Sequence, residues 1–444
     1  MERVVIVGDR KICIIGCGIV GLSTGSTLAH LGHRVRLVEK NRPKLSSLYR
    51  GEAPFYEPEL SSMLANGMRT RKISIGEDVG EAVNSSDFIF LSVQTPMLKS
   101  ASPNLSNLKD AAKSIGESLG KGKTVVQRKT APPGTTENLL IPVLEASSGL
   151  KAGKDFGVAV NPEFLRRGTA IQDSLKPSRI IVGANAKKTA TGVMSLYDKL
   201  DAPKLIMDLR TAEMVKLVSD CFLATKVSFA NEIAGLCESF GVDSQEVMEG
   251  VRLDPRIGGE FMSPGLGFGG CGLPKDLSTA ISGGEASGFR PELLRAVRRI
   301  NEKQPLRAIE MLEEELGDLQ GKRIALLGLA FKAGVDEVME SRAFPIAVEL
   351  LARGAKVIGY DHLARASFIR ILPEISYASS VQEALLEADG CIIQTEEEEF
   401  SKLGKSDFDL MKKKLVVDGR RIVSPAKLKK YGVTLRAIGL GRKS

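Results

Sequence analysis

The stretch K-I-C-I-I-G-C-G-I-V-G-L-S-T-G-S-T-L-A-H-L, Lys11 to Leu31, decides the fold. Ile12–Ile15 is a short apolar run of strand length, and the residues after Gly18 have helical character. Between them Gly16, Gly18 and Gly21 form G-C-G-I-V-G. In that pattern the first glycine permits the turn and the second lets backbone approach a pyrophosphate. The third lets helix and strand pack closely, and the helix N-terminus at Ile19 and Val20 attracts the phosphate charge. Glu39 follows at the end of the next strand, Val35–Val38, at the spacing of about 20 residues expected for a carboxylate that accepts from ribose hydroxyls. A carboxylate there repels a 2′-phosphate, so NAD is expected over NADP, although Lys40 beside it weakens the preference. FAD or another adenine nucleotide stays open on these residues alone. From Ile12 to Leu31 there is no Asp, Glu, Lys or Arg, a length that could span a membrane. Its glycines, hydroxyl residues and His30 divide it instead into strand, turn and helix.

Working outward, short apolar runs alternate with helical stretches, the mark of βαβ units and a parallel sheet. Further strands are expected at Phe88–Val93, Thr124–Arg128, Gly157–Val160 and Arg179–Val182, and Val4–Val7 reads as an extra edge strand. The middle differs. Thr211 can cap a helix, Glu213 suits its positive end, and Gly241 can stop it. Only Gly235 interrupts, so the helix would reach roughly 40 Å. Its apolar residues cover more than one face, which predicts burial between domains or at a subunit interface. From Gly321 the alternation resumes, with strands at Arg323–Leu327, Lys356–Tyr360, Gly390–Gln394 and Leu415–Val417. The expected class is α/β: two doubly wound, Rossmann-like parallel-sheet domains joined by a central helical region. The divisions fall at 1–200, 201–305 and 306–444.

Composition narrows the function. The 444 residues carry a formal net charge of +8, with 43% hydrophobic and 26% charged residues, as in globular proteins. Aromatics are 5% and Trp is absent, and no basic stripe with interleaved aromatics occurs, so nucleic acid is not an expected partner. Six cysteines lie scattered among three histidines without zinc spacing, so no metal is expected. Unpaired cysteines suggest a reducing compartment, and no signal-peptide pattern precedes the first strand; a cytoplasmic, non-membrane protein is expected.

Several further segments carry a resemblance. They are Y-E-P-E-L (Tyr56–Leu60), V-Q-T-P (Val93–Pro96), K-T-A-P-P-G-T-T (Lys129–Thr136) and N-P-E-F-L-R-R-G (Asn161–Gly168). Then come A-E-M-V-K (Ala212–Lys216), D-P-R-I-G (Asp254–Gly258), P-G-L-G-F-G-G-C-G-L-P-K-D (Pro264–Asp276), G-L-A-F-K (Gly328–Lys332) and D-G-R (Asp418–Arg420). In this order, over nearly the whole chain, they resemble the UDP-glucose/GDP-mannose dehydrogenase family. The resemblance implies an NAD domain, a central dimerisation region and a nucleotide-sugar domain. It implies oxidation of a sugar CH2OH to a carboxylate in two hydride transfers, a UDP-sugar ahead of a GDP-sugar, and at least a homodimer. In that chemistry a cysteine thiolate adds to the aldehyde, because an aldehyde has no second hydride to give until a nucleophile adds to it.

Carried over residue by residue, Thr95 and Thr130 line the nicotinamide side and Glu163 handles water. Lys216 stabilises the oxyanion and Asp276 assists beside the nucleophile. Phe164, Leu165, Arg166, the Phe268-Gly269-Gly270 loop, Lys332 and Arg420 hold the nucleotide-sugar, and Arg256 reaches substrate from the partner subunit.

The pattern breaks at its centre. The family's G-G-x-C-x-P-K-D is here Gly269-Gly270-Cys271-Gly272-Leu273-Pro274-Lys275-Asp276, so Gly272 stands at the nucleophile position. One residue is about 3.8 Å of chain, and in extended backbone it turns the side chain to the opposite face. The asparagine expected one helical turn after Lys216 is Asp220, an acidic residue is Arg167, an arginine is Met339, and the asparagine after D-G-R is Arg421. Four readings stay open. Cys271 acts after a shift of a loop that Gly270 and Gly272 leave flexible. Chemistry stops after one hydride, with Asp220 or Glu163 as base. The aldehyde is oxidised as its hydrate without a thiol. Or the protein binds NAD and nucleotide-sugar without catalysis.

Overall fold

A computed structural model describes residues 9–98 and 102–441, so the run Val4–Val7 lies outside the described residues. The chain forms two compact units, one ending at Ser219 and the other starting at Asp220.

In the N-terminal unit the strands are β1 (Lys11–Ile15), β2 (Arg34–Val38), β3 (Ile73–Gly76), β4 (Phe88–Leu91), β5 (Thr124–Gln127), β6 (Gly157–Val160), β7 (Ile180–Ala184) and β8 (Lys204–Met207). They form one sheet in the order β3-β2-β1-β4-β5-β6-β7-β8. The apolar runs bury both faces. Ile12 and Ile14 join Leu37 and Phe90 on one side, while Cys13 and Ile15 join Ile89 and Val125 on the other. Such two-sided burial is what continuous apolar strands of a parallel sheet require. The uncharged stretch resolves as read: β1, the glycine turn, then a helix over Ile19–His30.

The order reverses between β1 and β4, and a crevice at the carboxyl ends of strands beside such a switch is where open α/β sheets bind ligands. One expectation is corrected: β6 pairs β7 antiparallel. The chain therefore leaves β6 and enters β7 at the same end of the sheet. Because β6 runs parallel to β5, the Asn161–Gly168 segment that follows it lies at the edge that carries Gly16, Thr95 and Thr130, in the segments following β1, β4 and β5.

The C-terminal unit holds β9 (Arg323–Leu327), β10 (Lys356–Tyr360), β11 (Ser376–Tyr377), β12 (Gly390–Ile393), β13 (Leu415–Asp418) and β14 (Thr434–Ala437), ordered β11-β10-β9-β12-β13-β14 and all parallel. The reversal here lies between β9 and β12. Lys332 and Arg420 follow β9 and β13 at the same edge. β3, β8, β11 and β14 are short edge or near-edge strands with no long apolar run, which is why the pattern missed them.

The long helix covers Leu209–Ser239, about 46 Å at 1.5 Å per residue. It begins two residues before the predicted cap. Asp208 is the cap, accepting from Thr211 N at 2.8 Å and Thr211 Oγ1 at 2.6 Å. Gly241, at φ 68°, ends it as expected, with Val242 N donating to Cys237 O and Gly241 N to Glu238 O. Small buried residues, Ala212, Ala224, Ala230 and Ala234, line one side; Met214, Val218, Phe222, Phe229 and Leu236 are exposed on another.

Candidate active site

In the N-terminal unit each glycine of the turn has its own steric reason. Gly16 has φ 97°, and a Cβ there would meet Ser92 and Val93 backbone at 3.0 Å. A Cβ on Gly21 would lie 2.0 Å from Gly16 O, whereas one on Gly18 would meet nothing within 4 Å. The turn is thus tight at both ends and open in the middle, the form that admits a pyrophosphate. The open side faces a cavity of about 370 Å3 lined by Gly16, Cys17, Gly18, Glu39, Lys40 and Lys44 among others. Glu39 accepts from Cys17 N at 3.2 Å and from Lys40 N and Asn41 N at 2.9 Å. These bonds hold its carboxylate beside the turn, and the residues present fit an adenine dinucleotide. Ile19 and Val20 start the helix, with Val20 buried. Cys17 and Cys13 are buried, and burial pushes their thiols up, Cys13 to about 12.

Thr95 and Thr130 meet: Thr95 Oγ1 donates to Thr130 O at 3.3 Å. The loop bearing Thr130 is held by a residue given another role above. Glu213 does not serve the helix end; it is buried and accepts from Gly134 N at 2.5 Å, Thr136 N at 2.9 Å and Thr136 Oγ1 at 2.6 Å. Burial raises its pKa, these bonds offset only part of the rise, and Glu137 adds to it.

Glu163, Phe164, Leu165 and Arg166 line a second cavity of about 330 Å3 in this unit, with Arg128, Asn161 and Arg179. Arg179 stacks on the Phe164 ring at 3.7 Å, and Lys216 Nζ lies 5.6 Å from the same ring. Glu163 is buried, which raises its pKa. The charges of Lys216, Lys129 and Arg128 and the Leu165 N–H, at 2.8 Å, outweigh that and hold the carboxyl below its usual range. The side chain of Arg166 is paired with Asp173 at 2.7 Å, and both residues line the cavity.

Two positioning groups here went unassigned in the sequence. Glu57 of Y-E-P-E-L accepts from Gly168 N at 2.9 Å and Ala170 N at 2.8 Å, with Arg167 at 3.9 Å, and so anchors the N-P-E-F-L-R-R-G turn. Asn161 binds the buried Arg128 and Tyr197.

In the C-terminal unit the loop Gly265–Gly272 is clamped by amides. Asn231 accepts from Gly265 N at 2.7 Å and Gln304 donates to Gly265 O at 2.8 Å. Asn301 both accepts from Phe268 N and donates to Phe268 O, at 2.7 and 3.0 Å. Gly270 N donates to Met339 O at 3.0 Å. The flexibility expected of Gly270 is corrected: it is glycine because the chain passes too close to its neighbours. A Cβ on Gly269 would lie 2.1 Å from Glu340 O, and one on Gly270 would lie 2.8 Å from the Phe331 ring.

Asp276 is buried in the first turn of the helix Leu273–Ala286. Cys221 is buried against the Asp276 backbone carbonyl, and burial, Asp276 and Asp220 push its thiol up to about 12, away from the thiolate.

Arg420 donates to Gln394 O at 2.7 Å, pairs with Glu396 at 3.3 Å and lies along Gly265. Lys332 Nζ stands 6.0 Å from the Phe331 ring. Arg421 joins Asp243 at 2.7 Å, a structural pair in place of the expected asparagine. Arg256 is 87% exposed at its side chain and forked onto Asp254. Arg342, three residues after Met339, is buried beside Gly267, with its guanidinium on Glu340. It lies in the non-helical stretch before the helix that starts at Ala343, three residues after the position where the family has its arginine. Among the described residues no group of His, Cys, Asp and Glu could hold a metal, and no helix is long and apolar enough to cross a membrane.

Residues 10–201 match the NAD binding domain of the UDP-glucose/GDP-mannose dehydrogenase family, residues 210–303 its central domain and residues 325–425 its UDP binding domain. UDP-glucose 6-dehydrogenase AglM of Haloferax volcanii is 39% identical over 424 residues, 93% of this chain and 97% of that protein. UDP-glucose 6-dehydrogenase TuaD of Bacillus subtilis is 35% identical over 432 residues, 97% of this chain and 93% of that one. A UDP-glucose dehydrogenase structure from Pyrobaculum islandicum superposes with a TM-score of 0.91 at 37% identity, over 98% of both chains. A UDP-D-ManNAc dehydrogenase from Pyrococcus horikoshii gives 0.87 at 29% identity, over 97% of this chain and 99% of that one. With the glycine turn, Glu39, Lys216 and the P-K-D helix in place, the chain belongs to the UDP-glucose/GDP-mannose dehydrogenase family, whose NAD-dependent oxidoreductase fold it carries throughout.

Proposed function

We propose that the protein oxidises the C6 hydroxymethyl of a UDP-sugar, UDP-glucose first among them, to the uronate. The observation that carries the reading is that Lys216 stands over the Phe164 ring and its charge helps hold the buried Glu163 carboxyl below its usual range, in the unit whose edge also holds the open glycine turn. NAD, when bound, takes up the hydride. Lys216 supplies positive charge where the alkoxide develops, in a site from which most water is excluded. Glu163, held ionised, accepts hydrogen bonds at its end of the site and balances the charge of Lys216. Thr95 and Thr130 shape the nicotinamide side, and Arg420, Lys332 and the Phe268–Gly270 backbone hold the sugar nucleotide. Both relatives' names support uridine over guanosine.

The working assembly is a homodimer in three functional parts, with residues 201–305 as the joining region. Support comes from the stripe Met214, Val218, Phe222, Phe229 and Leu236, where Phe222 is 63% exposed. All six cysteines are free, which suits a reducing cytoplasm. A panel of UDP-glucose, UDP-N-acetylmannosamine and GDP-mannose, with NADH followed for each, tests the substrate. UDP-glucose should give the highest kcat/KM, and turnover of GDP-mannose alone would refute the reading. Phe222→Asp should halve the mass seen in sedimentation.

A further inference from the structure

Two departures from the family pattern fall at one place. Where the family has its cysteine this chain has Gly272, and where it has an asparagine this chain has Asp220. Gly272 is the residue before the helix Leu273–Ala286 and has φ −88°, outside the left-handed region that favours glycine. Apart from its chain neighbours, nothing comes nearer to a Cβ there than Asp220 Oδ2, at 4.0 Å. Asp220 is itself 6% exposed. A thiol has been removed and, across the resulting gap, an amide has become a carboxylate that can take a proton.

Cys271 does not reach the gap by a register slip. Advancing the loop by one residue would carry Phe268 to the place of Gly269, where a Cβ lies 2.1 Å from Glu340 O. It would also break the bonds of Asn301 to Phe268 and of Gly270 to Met339. The clamped loop is a poor hinge. Cys221, the thiol on the neighbouring helix, is held protonated by burial and by Asp276 and Asp220.

We propose that water replaces the thiol: a water molecule in the gap beside Gly272, with Asp220 as its base, hydrates the aldehyde so that the second oxidation needs no cysteine. The inference rests on the two-step oxidation proposed above. In the first bond change the water oxygen adds to C6, its proton passes to Asp220, and the carbonyl oxygen takes up a proton. The hydrate then gives its C–H pair as hydride to NAD, while an O–H pair becomes the new C=O and that proton leaves through Asp220. The sum is aldehyde, water and NAD+ to carboxylate, NADH and two protons.

The test uses the full-length enzyme with NAD and UDP-glucose, and counts NADH and uronate per sugar nucleotide consumed. Wild type and C271S should both give a ratio of two with uronate as product. D220N should fall toward one, with an aldehyde trapped by hydroxylamine, and added formate should restore its second NADH. If D220N proves unfolded in a thermal melt or silent, G272V decides. It fills the gap without altering either carboxylate and should also drop the ratio toward one. A ratio near one for C271S, with D220N or G272V remaining at two, overturns the inference while leaving the two-step reading intact. A wild-type ratio of one overturns both.

Discussion

The chain contains two glycine-rich loops that look alike in sequence and differ in what their glycines do. In G-C-G-I-V-G the outer glycines are crowded by backbone, and the middle one, Gly18, faces open space. In G-L-G-F-G-G-C-G the crowded glycines come first: Gly269 lies under Glu340 and Gly270 under Phe331. The open one comes last, at Gly272, facing Asp220. A crowded glycine is there for packing, and replacing it disturbs the fold. An open glycine beside polar groups leaves room for something that is not the protein. At Gly18 we place a pyrophosphate, and at Gly272 a water.

The comparison breaks most easily at its open positions. Gly18→Asp puts a carboxylate where we place the pyrophosphate. Like charges at contact cost several kcal/mol, so NAD affinity by calorimetry should fall by about 100-fold or more, while the melting temperature stays put. Glu39→Ala removes charged acceptors worth about 1.5–3 kcal/mol, and NAD affinity should fall roughly 10- to 100-fold with a gain in relative NADP use. At the crowded positions the readout is stability. Gly269→Ala should cost about 1–3 kcal/mol in urea unfolding, as overpacking does, whereas Gly272→Ala should leave the midpoint unchanged. Equal losses at both positions would remove the distinction.

The smallest effect is in acid. Glu163 is held below its ordinary value of 4.5, so its contribution to stability is complete above that value and is lost as pH falls through the lower folded value. Stability of wild type minus Glu163→Gln should therefore shrink below pH 4.5 and be flat above it.

Much of this was legible in residues 11–39, because a strand, three glycines and a distant carboxylate form one physical pattern. The second sheet and the long helix were legible from periodicity and from Gly241. What stayed hidden depends on contacts made far along the chain. Glu213 looked like a helix-end acid, but its carboxylate serves Gly134 and Thr136, 77 or more residues away. Glu57 and Asn301 were ordinary polar letters until the turns they hold were brought to them. The antiparallel β7 was missed because strand direction leaves no mark on an apolar run. Gly270 and Gly272 read alike as sources of flexibility, and only their neighbours separate a packed glycine from an open one.

The most direct test of the account is the product made from UDP-glucose and excess NAD, identified by mass spectrometry alongside the NADH formed. The account expects the uronate with two NADH per sugar nucleotide. An aldehyde or ketone with one NADH, or binding without turnover, would contradict it.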